Sequence, residues 1–295
     1  MRFGVQLPEV EYEATWEQIK DMARVSEEIG LDSLWVGDHL LYDDEGKRRG
    51  PWEAWSLLAG VAAVTERIAI GPLVAALPFH SPAVLAKTAA TIDAISGGRL
   101  IFGVGAGWND VEFAAFGLPF DRRVSRFAEA FEIIRRLLDG ERLDFDGEFY
   151  KLEGAELLPR PPRPGAMPLM IGSTRPRMLS LTLPYVTWWN SWYSGFSNDS
   201  ARIPELVARV EAACATSGRD PATLQKSVAA YIGLEGKPER RNGVNPWWGS
   251  IDDQVERLRQ VEAAGIDEVQ GILEPITARS IEQYGEIVAA FRSSR

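Results

Sequence analysis

The chain has 295 residues, 45% hydrophobic and 25% charged, with 27 Gly and 18 Pro. That composition excludes disordered, collagen-like and fibrous proteins, and supplies a core that needs no disulfide or metal. With 42 acidic against 32 basic side chains the net charge is −10, which opposes nucleic acid and anionic membrane surfaces as partners, since both need a basic footprint.

One Cys, Cys214, and two His make neither a disulfide nor a Cys/His zinc site, so no metal is expected. The N-terminus shows no basic region followed by an apolar one, and no apolar stretch reaches the ~18 residues of a membrane span. A cytoplasmic protein is therefore expected.

Short apolar runs alternate with amphipathic stretches. Residues 2–7 read as a strand and residues 15–29 as a helix closed by Gly30, with Ile19, Met22 and Ala23 among its apolar positions and Thr15 with Gln18 as a capping box. Next come a strand at 33–36, a helix at 51–64, a strand at 67–74, and a helix at 81–95 with Pro82 in its first turn and Gly97 and Gly98 at its end. A fourth strand at 100–104 and a helix at 124–138 precede residues 141–164, where the period changes and Asp146 with Gly147 suggests a hairpin turn, so this segment reads as an inserted hairpin.

The rhythm then resumes: strands at 168–171, 185–189, 227–232 and 267–273, and helices at 176–183, 203–216, 251–264 and 278–291. Eight strands, each followed by a helix, predict an α/β fold, a single (β/α)8 TIM barrel over residues 1–295 with the insertion at 141–164. About 250 residues is typical of that barrel before insertions. A doubly wound open sheet is the alternative. In a barrel the chemistry belongs to the loops that follow the strands.

Both histidines follow strands: His39 in WVGDHL and His80 in LPFHSP. Asp38 beside His39 offers a titrating pair, imidazole having an unperturbed pKa of about 6.5; packing or capping is the plainer reading of either ring, and His80 could simply line a helix start. The run GVGAGW, with Gly103, Gly105 and Gly107, lets backbone approach a planar ring or a phosphate. It matches the dinucleotide fingerprint only in part, because Trp108 stands at the third glycine's place and no acidic residue follows a strand about 20 residues on. IGSTRPR sets Gly172, Ser173 and Thr174 before a helix, where backbone N–H groups could hold an anion beside Arg175 and Arg177, or simply cap the helix. The aromatic run TWWNSWYSGF and the later NPWWGS suit either a core rim or an apolar ligand pocket. No nucleophile elbow, Walker loop or HExxH pair is present.

Taken together, RFGVQLP, SLWVGDHL, the block from Arg67 to Trp108, EFAAFGLPFDRR, DGEFYKL and PLMIGSTRPRML resemble the bacterial luciferase-like monooxygenase superfamily over essentially the whole chain. The resemblance implies a barrel that binds reduced FMN or the deazaflavin coenzyme F420 at its open end. Asp before His39, where the luciferases proper carry adjacent histidines, is more similar to the F420-dependent branch, with Asp38 and His39 near the reactive carbon and His39 exchanging a proton.

It also implies a non-prolyl cis peptide at Leu73–Val74 behind the ring, Gly105, Ala106 and Gly107 along one side of it, and Gly172, Ser173 and Thr174 at the ribityl phosphate. A homodimer and a small organic substrate follow, with a separate reductase if the cofactor is FMN. Trp108 replaces the catalytic Glu of the family's sugar-phosphate dehydrogenases, no Trp follows His39 at their spacing, and YVTWWN lacks an acidic residue before its Trp. These departures speak against sugar-phosphate oxidation and for a more apolar pocket. A catalytically silent flavin-binding barrel is the reading from another class.

Overall fold

A computed structural model describes residues 1–44, 46–163, 165–234 and 243–294. Among them the strands and helices follow the predicted order: β1 (Arg2–Gln6), α1 (Trp16–Glu28), β2 (Ser33–Val36), α2 (Ala54–Val64), β3 (Ala69–Pro72), α3 (Pro82–Ile95) and β4 (Phe102–Gly105). Then come α4 (Asp110–Ala115), a short helix that the sequence does not announce, α5 (Arg123–Leu138), β5 (Leu169–Gly172), α6 (Pro176–Thr182), β6 (Trp188–Ser191), α7 (Ile203–Thr216), β7 (Gln225–Gly233), α8 (Ile251–Ala263), β8 (Glu268–Glu274) and α9 (Ala278–Ser293). No helix among the described residues is long and apolar enough to cross a membrane. The chain forms two compact units, residues 1–35 with 170–295, and residues 36–169.

In the first unit six parallel strands run in the order β2-β1-β8-β7-β6-β5. Successive side chains of a strand face opposite ways. Phe3 thus points to the helices, meeting Tyr284 and Phe291 of α9 edge-on with ring centroids 6.4 and 5.2 Å apart. One residue on, the opposite face of the sheet carries a buried polar set: Ser33, Asn190, Ser227, Glu268 and Gln270. Gly4 leaves room for it, since a Cβ there would stand 2.1 Å from the Ser33 Oγ. The predicted capping box of Thr15 and Gln18 forms at α1, which buries Ile19, Met22 and Ala23. A second box, Ser250 with Asp253, opens α8.

The second unit contains β3 and β4 with α2 to α5. The expected strand at 67–74 divides: β3 ends at Pro72, the Leu73–Val74 peptide is cis, and Ala75–Ala76 then pairs with Val104 and Gly105 of β4. The inserted segment is a hairpin, Leu143–Asp146 against Lys151–Ala155; its final residue, Pro164, lies outside the described residues. Its connection spans residues 147–150 where a tight Asp146–Gly147 turn is expected. The cause is Glu129 on α5, whose carboxylate accepts the backbone N–H groups of Glu148, Phe149 and Tyr150 at 2.8, 2.9 and 3.2 Å and holds the wider loop open. A short hairpin that the sequence does not announce, Tyr42–Asp44 with Lys47–Arg49, follows β2.

Candidate functional site

The loop after β2 carries His39, and the loop after β4 leads into α4, a helix of six residues that buries Glu112 and Phe113. Glu112 has no exposed surface, and its Oε1 lies 3.0 Å from His39 Nδ1. Its Oε2 accepts the backbone N–H groups of Leu40 at 2.8 Å and Leu41 at 3.4 Å. Asn109, also buried, donates from Nδ2 to the Leu41 carbonyl at 2.8 Å. One carboxylate thus gathers an imidazole and the two residues that follow it, fixing the ring relative to its own backbone. The His39 ring is flanked by Tyr42 at 4.7 Å and by Trp108 edge-on at 5.7 Å between centroids. Trp108 is 63% exposed, so the imidazole sits among aromatic faces, one of which is open to solvent.

Asp38 and His39 do not pair with each other. Buried Asp38 accepts the Ala76 N–H at 2.9 Å and stands 2.8 Å from His80 Nε2, both through Oδ2. Consecutive side chains leaving a strand project apart, and each here finds its own partner. His80 follows the 3₁₀ turn Leu77–Phe79 and precedes the Ser81 cap of α3, beside the edge of Trp55 at 6.3 Å. Glu53 caps α2 through the Trp55 and Ser56 N–H groups. Burial pushes the Glu53 carboxyl up, but these hydrogen bonds and the nearby His80 outweigh it and hold the carboxyl below its ordinary value.

At the end of β4, Gly105 lies under Val74, where a Cβ would come 2.7 Å from Val74 Cγ2. Gly107 has φ +70°, and a Cβ would meet the Phe113 ring at 2.9 Å. Ala106 and Gly107 are half-buried, and the Gly107 carbonyl accepts from Arg123 Nη1 at 2.7 Å. The cis bond sits where the resemblance implies it, next to these glycines.

In the first unit Gly172 closes β5, with Ser173 half-buried and Thr174 exposed beyond it. The Ser173 carbonyl accepts the Trp189 indole N–H at 2.8 Å, and its Oγ accepts the Arg175 N–H at 3.2 Å. The helix that follows begins at Pro176, whose missing N–H removes one of the donors on which an anion could rest. Of the aromatic run, Trp188, Trp189, Tyr193, Phe196 and Trp247 are buried. The Trp247 indole donates to the Asn198 carbonyl at 2.6 Å, so most of these rings serve the core, whereas Trp248 is half-exposed.

Glu112 is the residue that sequence reasoning passes over. It stands within EFAAF, five residues beyond Gly107 and directly before a large apolar residue. A carboxylate on the buried side of a short helix, close to a candidate His-bearing loop, is the signal that marks it.

The comparisons with known proteins bear on this geometry. Residues 1–241 match the family described as luciferase-like monooxygenase. Over 183 residues the chain is 36% identical to 5,10-methylenetetrahydromethanopterin reductase of Archaeoglobus fulgidus, covering 61% of this chain and 50% of that protein. Over 177 residues it is 36% identical to F420-dependent glucose-6-phosphate dehydrogenase of Amycolatopsis mediterranei, covering 57% and 52%. The chain thus spans about half the length of these two relatives. The coenzyme F420-dependent tetrahydromethanopterin reductase from Methanopyrus kandleri superposes with a TM-score of 0.80 at 19% identity, over 98% of this chain and 99% of that one. The fold is therefore the expected one, an α/β (β/α)8 barrel with insertions, and by the family match over most of its length the chain belongs to the luciferase-like monooxygenases.

Proposed function

We propose that this chain is an F420-dependent oxidoreductase, moving a hydride between the deazaflavin and a small organic substrate while His39 exchanges the coupled proton. The observation that carries this reading is the His39 ring, carried by the loop after β2 and held through Nδ1 by a fully buried carboxylate of α4. Proton transfer to a reacting group needs an imidazole of fixed orientation, and this one is fixed. The relative from Amycolatopsis mediterranei is named for its dependence on F420, which supports the choice of cofactor.

The residues present fit a planar ring system. Gly105 and Gly107 put no Cβ on either side of Ala106, and Val74, reached through the cis peptide, lies against Gly105, so small residues and backbone make a smooth wall. We assign Leu73, Val74, Gly105, Ala106 and Gly107 to the ring. Gly172, Ser173 and Thr174 are assigned to the phosphate, where the Ser173 hydroxyl can still donate while it accepts from Arg175. When bound, the deazaflavin supplies hydride chemistry. The protein orients it, and His39 gives or takes the proton.

Trp108 and Tyr42 beside His39 favour an apolar substrate over a sugar phosphate. A homodimer in the cytoplasm completes the reading. The family's monooxygenase members support a second one, in which FMN reduced by a separate reductase is the cofactor.

Titration of the purified chain with oxidised F420 and with FMN tests the choice. F420 is expected to bind at least tenfold more tightly, a difference of about 1.4 kcal/mol. Equal affinity or tighter FMN would replace the first reading with the second, and binding of neither would remove both.

A further inference from the structure

The two histidines of this chain are each held by a buried carboxylate, but through opposite ring nitrogens. His39 meets Glu112 at Nδ1, 3.0 Å from Oε1, while His80 meets Asp38 at Nε2, 2.8 Å from Oδ2. Each carboxylate has an oxygen held as an acceptor by main-chain groups, which can only donate: Leu40 and Leu41 N–H on Glu112 Oε2, and Ala76 N–H on Asp38 Oδ2. An ionised carboxylate has no proton to give. The ring nitrogen that faces it must therefore carry one.

We infer that Glu112 is the positioning residue of the site: it holds neutral His39 as the Nδ1–H tautomer, so that Nε2 bears the lone pair that takes the substrate's proton, while Asp38 holds His80 in the opposite, Nε2–H form. Which nitrogen of an imidazole is basic is set by the hydrogen bond made at the other. The proton-exchanging atom of the proposed reaction is then named, Nε2 of His39. Asp38, its neighbour in sequence, is excluded as the group that directs it. This inference rests on the reading of His39 as the proton-exchanging residue, but the tautomers it requires belong to the protein alone.

Replacing the Glu112 carboxylate by a carboxamide keeps one oxygen for the Leu40 and Leu41 N–H groups. The other position then becomes an NH₂, which can only donate. Facing Nδ1, that group favours the reverse tautomer, with the proton on Nε2 and the lone pair turned away from the substrate. The substitution removes no volume and leaves the backbone bonds in place, so a role confined to holding the 40–41 turn would pass through it unaltered.

The decisive measurement is nitrogen NMR of the full chain with ¹⁵N-labelled histidine, free of cofactor, with the pH raised until both imidazoles are neutral. Only two rings contribute, and His80→Gln assigns them. The expected spectrum has the N–H at Nδ1 in His39 and at Nε2 in His80. In Glu112→Gln the His39 pattern should reverse while His80 stays as it was. With F420 and a turned-over substrate, the same variant should lose about 10²-fold in kcat, the lower end of what general acid–base catalysis contributes. KM and cofactor affinity should stay within a few-fold, and Glu112→Asp, which restores a carboxylate, should recover the Nδ1–H form in part.

A wild-type His39 protonated at Nε2 would overturn the inference, for that would mean a neutral Glu112 donating to Nδ1. So would a Glu112→Gln protein with an unchanged His39 pattern. Failure of F420 to bind would instead count against the proposed function and leave the tautomers standing.

Discussion

Two carboxylates of this protein, Glu268 in the first unit and Glu112 in the second, are equally hidden from solvent, yet they are partnered in different ways. Glu268 sits on the sheet face away from the helices, where it accepts from Ser33 Oγ at 2.7 Å and Gln270 Nε2 at 3.0 Å. Arg2 Nε stands 3.2 Å from its other oxygen, an ion pair with no N–H aimed as a hydrogen bond. Gln270 in turn accepts from Asn190, which also donates to Ser227. These partners come from β1, β2, β6, β7 and β8, so the network ties strands together. Glu112 draws its donors from one loop of three successive residues. Burial does not separate a structural carboxylate from a site carboxylate; the span of its partners does.

Removing the imidazole should give the largest effect. His39→Ala is expected to lower kcat by about 10²–10⁴-fold, with cofactor affinity held within a few-fold, if the ring exchanges a proton. Steady-state kinetics beside a binding titration separates this from mere packing, for which affinity would fall and kcat at saturation would hold. His80→Ala should cost less, since its ring belongs to the start of α3, between the Leu77–Phe79 turn and the Ser81 cap.

The counterpart experiment on the other carboxylate should be read in stability. Glu268→Ala leaves Ser33 and Gln270 without their acceptor and opens a cavity, at a cost of about 2–3 kcal/mol. Arg2 is partly exposed and can turn to water, which keeps the loss from going higher. Urea denaturation gives the number, and turnover per folded molecule should be unchanged. A stable variant with lost activity would break the distinction between the two regions.

The difference also explains how much of the molecule was legible in the sequence. The eightfold alternation, the cap at Thr15 and the insertion at 141–164 follow from periodicity and turn chemistry, which act over a few residues. Asp38 and His39 were visible as a pair for the same reason. Their partners were not, because neighbours in an extended chain face apart, and His80 and Glu112 lie 42 and 73 positions away. Such distances belong to tertiary packing, on which local patterns are silent. The row of Ser33, Asn190, Ser227, Glu268 and Gln270 was hidden likewise, each residue reading as an isolated polar interruption until the register of five strands aligned them. In the hairpin, Glu129 overrode a turn that Asp146 and Gly147 would otherwise have set.

A smaller effect tests whether the strand-end region depends on backbone shape as well as on Glu112. Gly107→Ala would force a side chain onto a residue at φ +70° and into the Phe113 ring, whereas Gly117, at φ +68°, has nothing within 4 Å of a Cβ. The dihedral penalty of about 1–2 kcal/mol applies to both, so the difference between the two variants isolates the contact. Gly107→Ala should be less stable than Gly117→Ala by about 1 kcal/mol and should alone weaken cofactor binding. Equal stability and equal affinity would mean that this wall is not shaped for a ligand.

The smallest expected effect is a slope in pH. Burial pushes the Glu268 carboxyl above its ordinary value of 4.5, and the lowering influence of Arg2 and of the Ser33 and Gln270 hydrogen bonds does not offset it. Its folded state therefore holds a proton that the unfolded state has already released. Stability depends on pH as the difference in protons bound, unfolded minus native, and here that difference is negative. The contribution of Glu268 is thus fully present below the unfolded carboxylate pKa of about 4.3, falls as the pH rises toward the elevated folded value, and is flat beyond it. Glu268→Gln has no proton to lose and retains an acceptor for Ser33, so it should gain on the wild type as the pH climbs through that window. Denaturant midpoints of both proteins from acid to neutral pH give the difference directly, with every other titrating group cancelling. A difference that stays level, or that favours the wild type as the pH rises, would show that Arg2 and the hydrogen bonds prevail over burial, and Glu268 would then be an ordinary ion-paired carboxylate and not the costly anchor of the first unit.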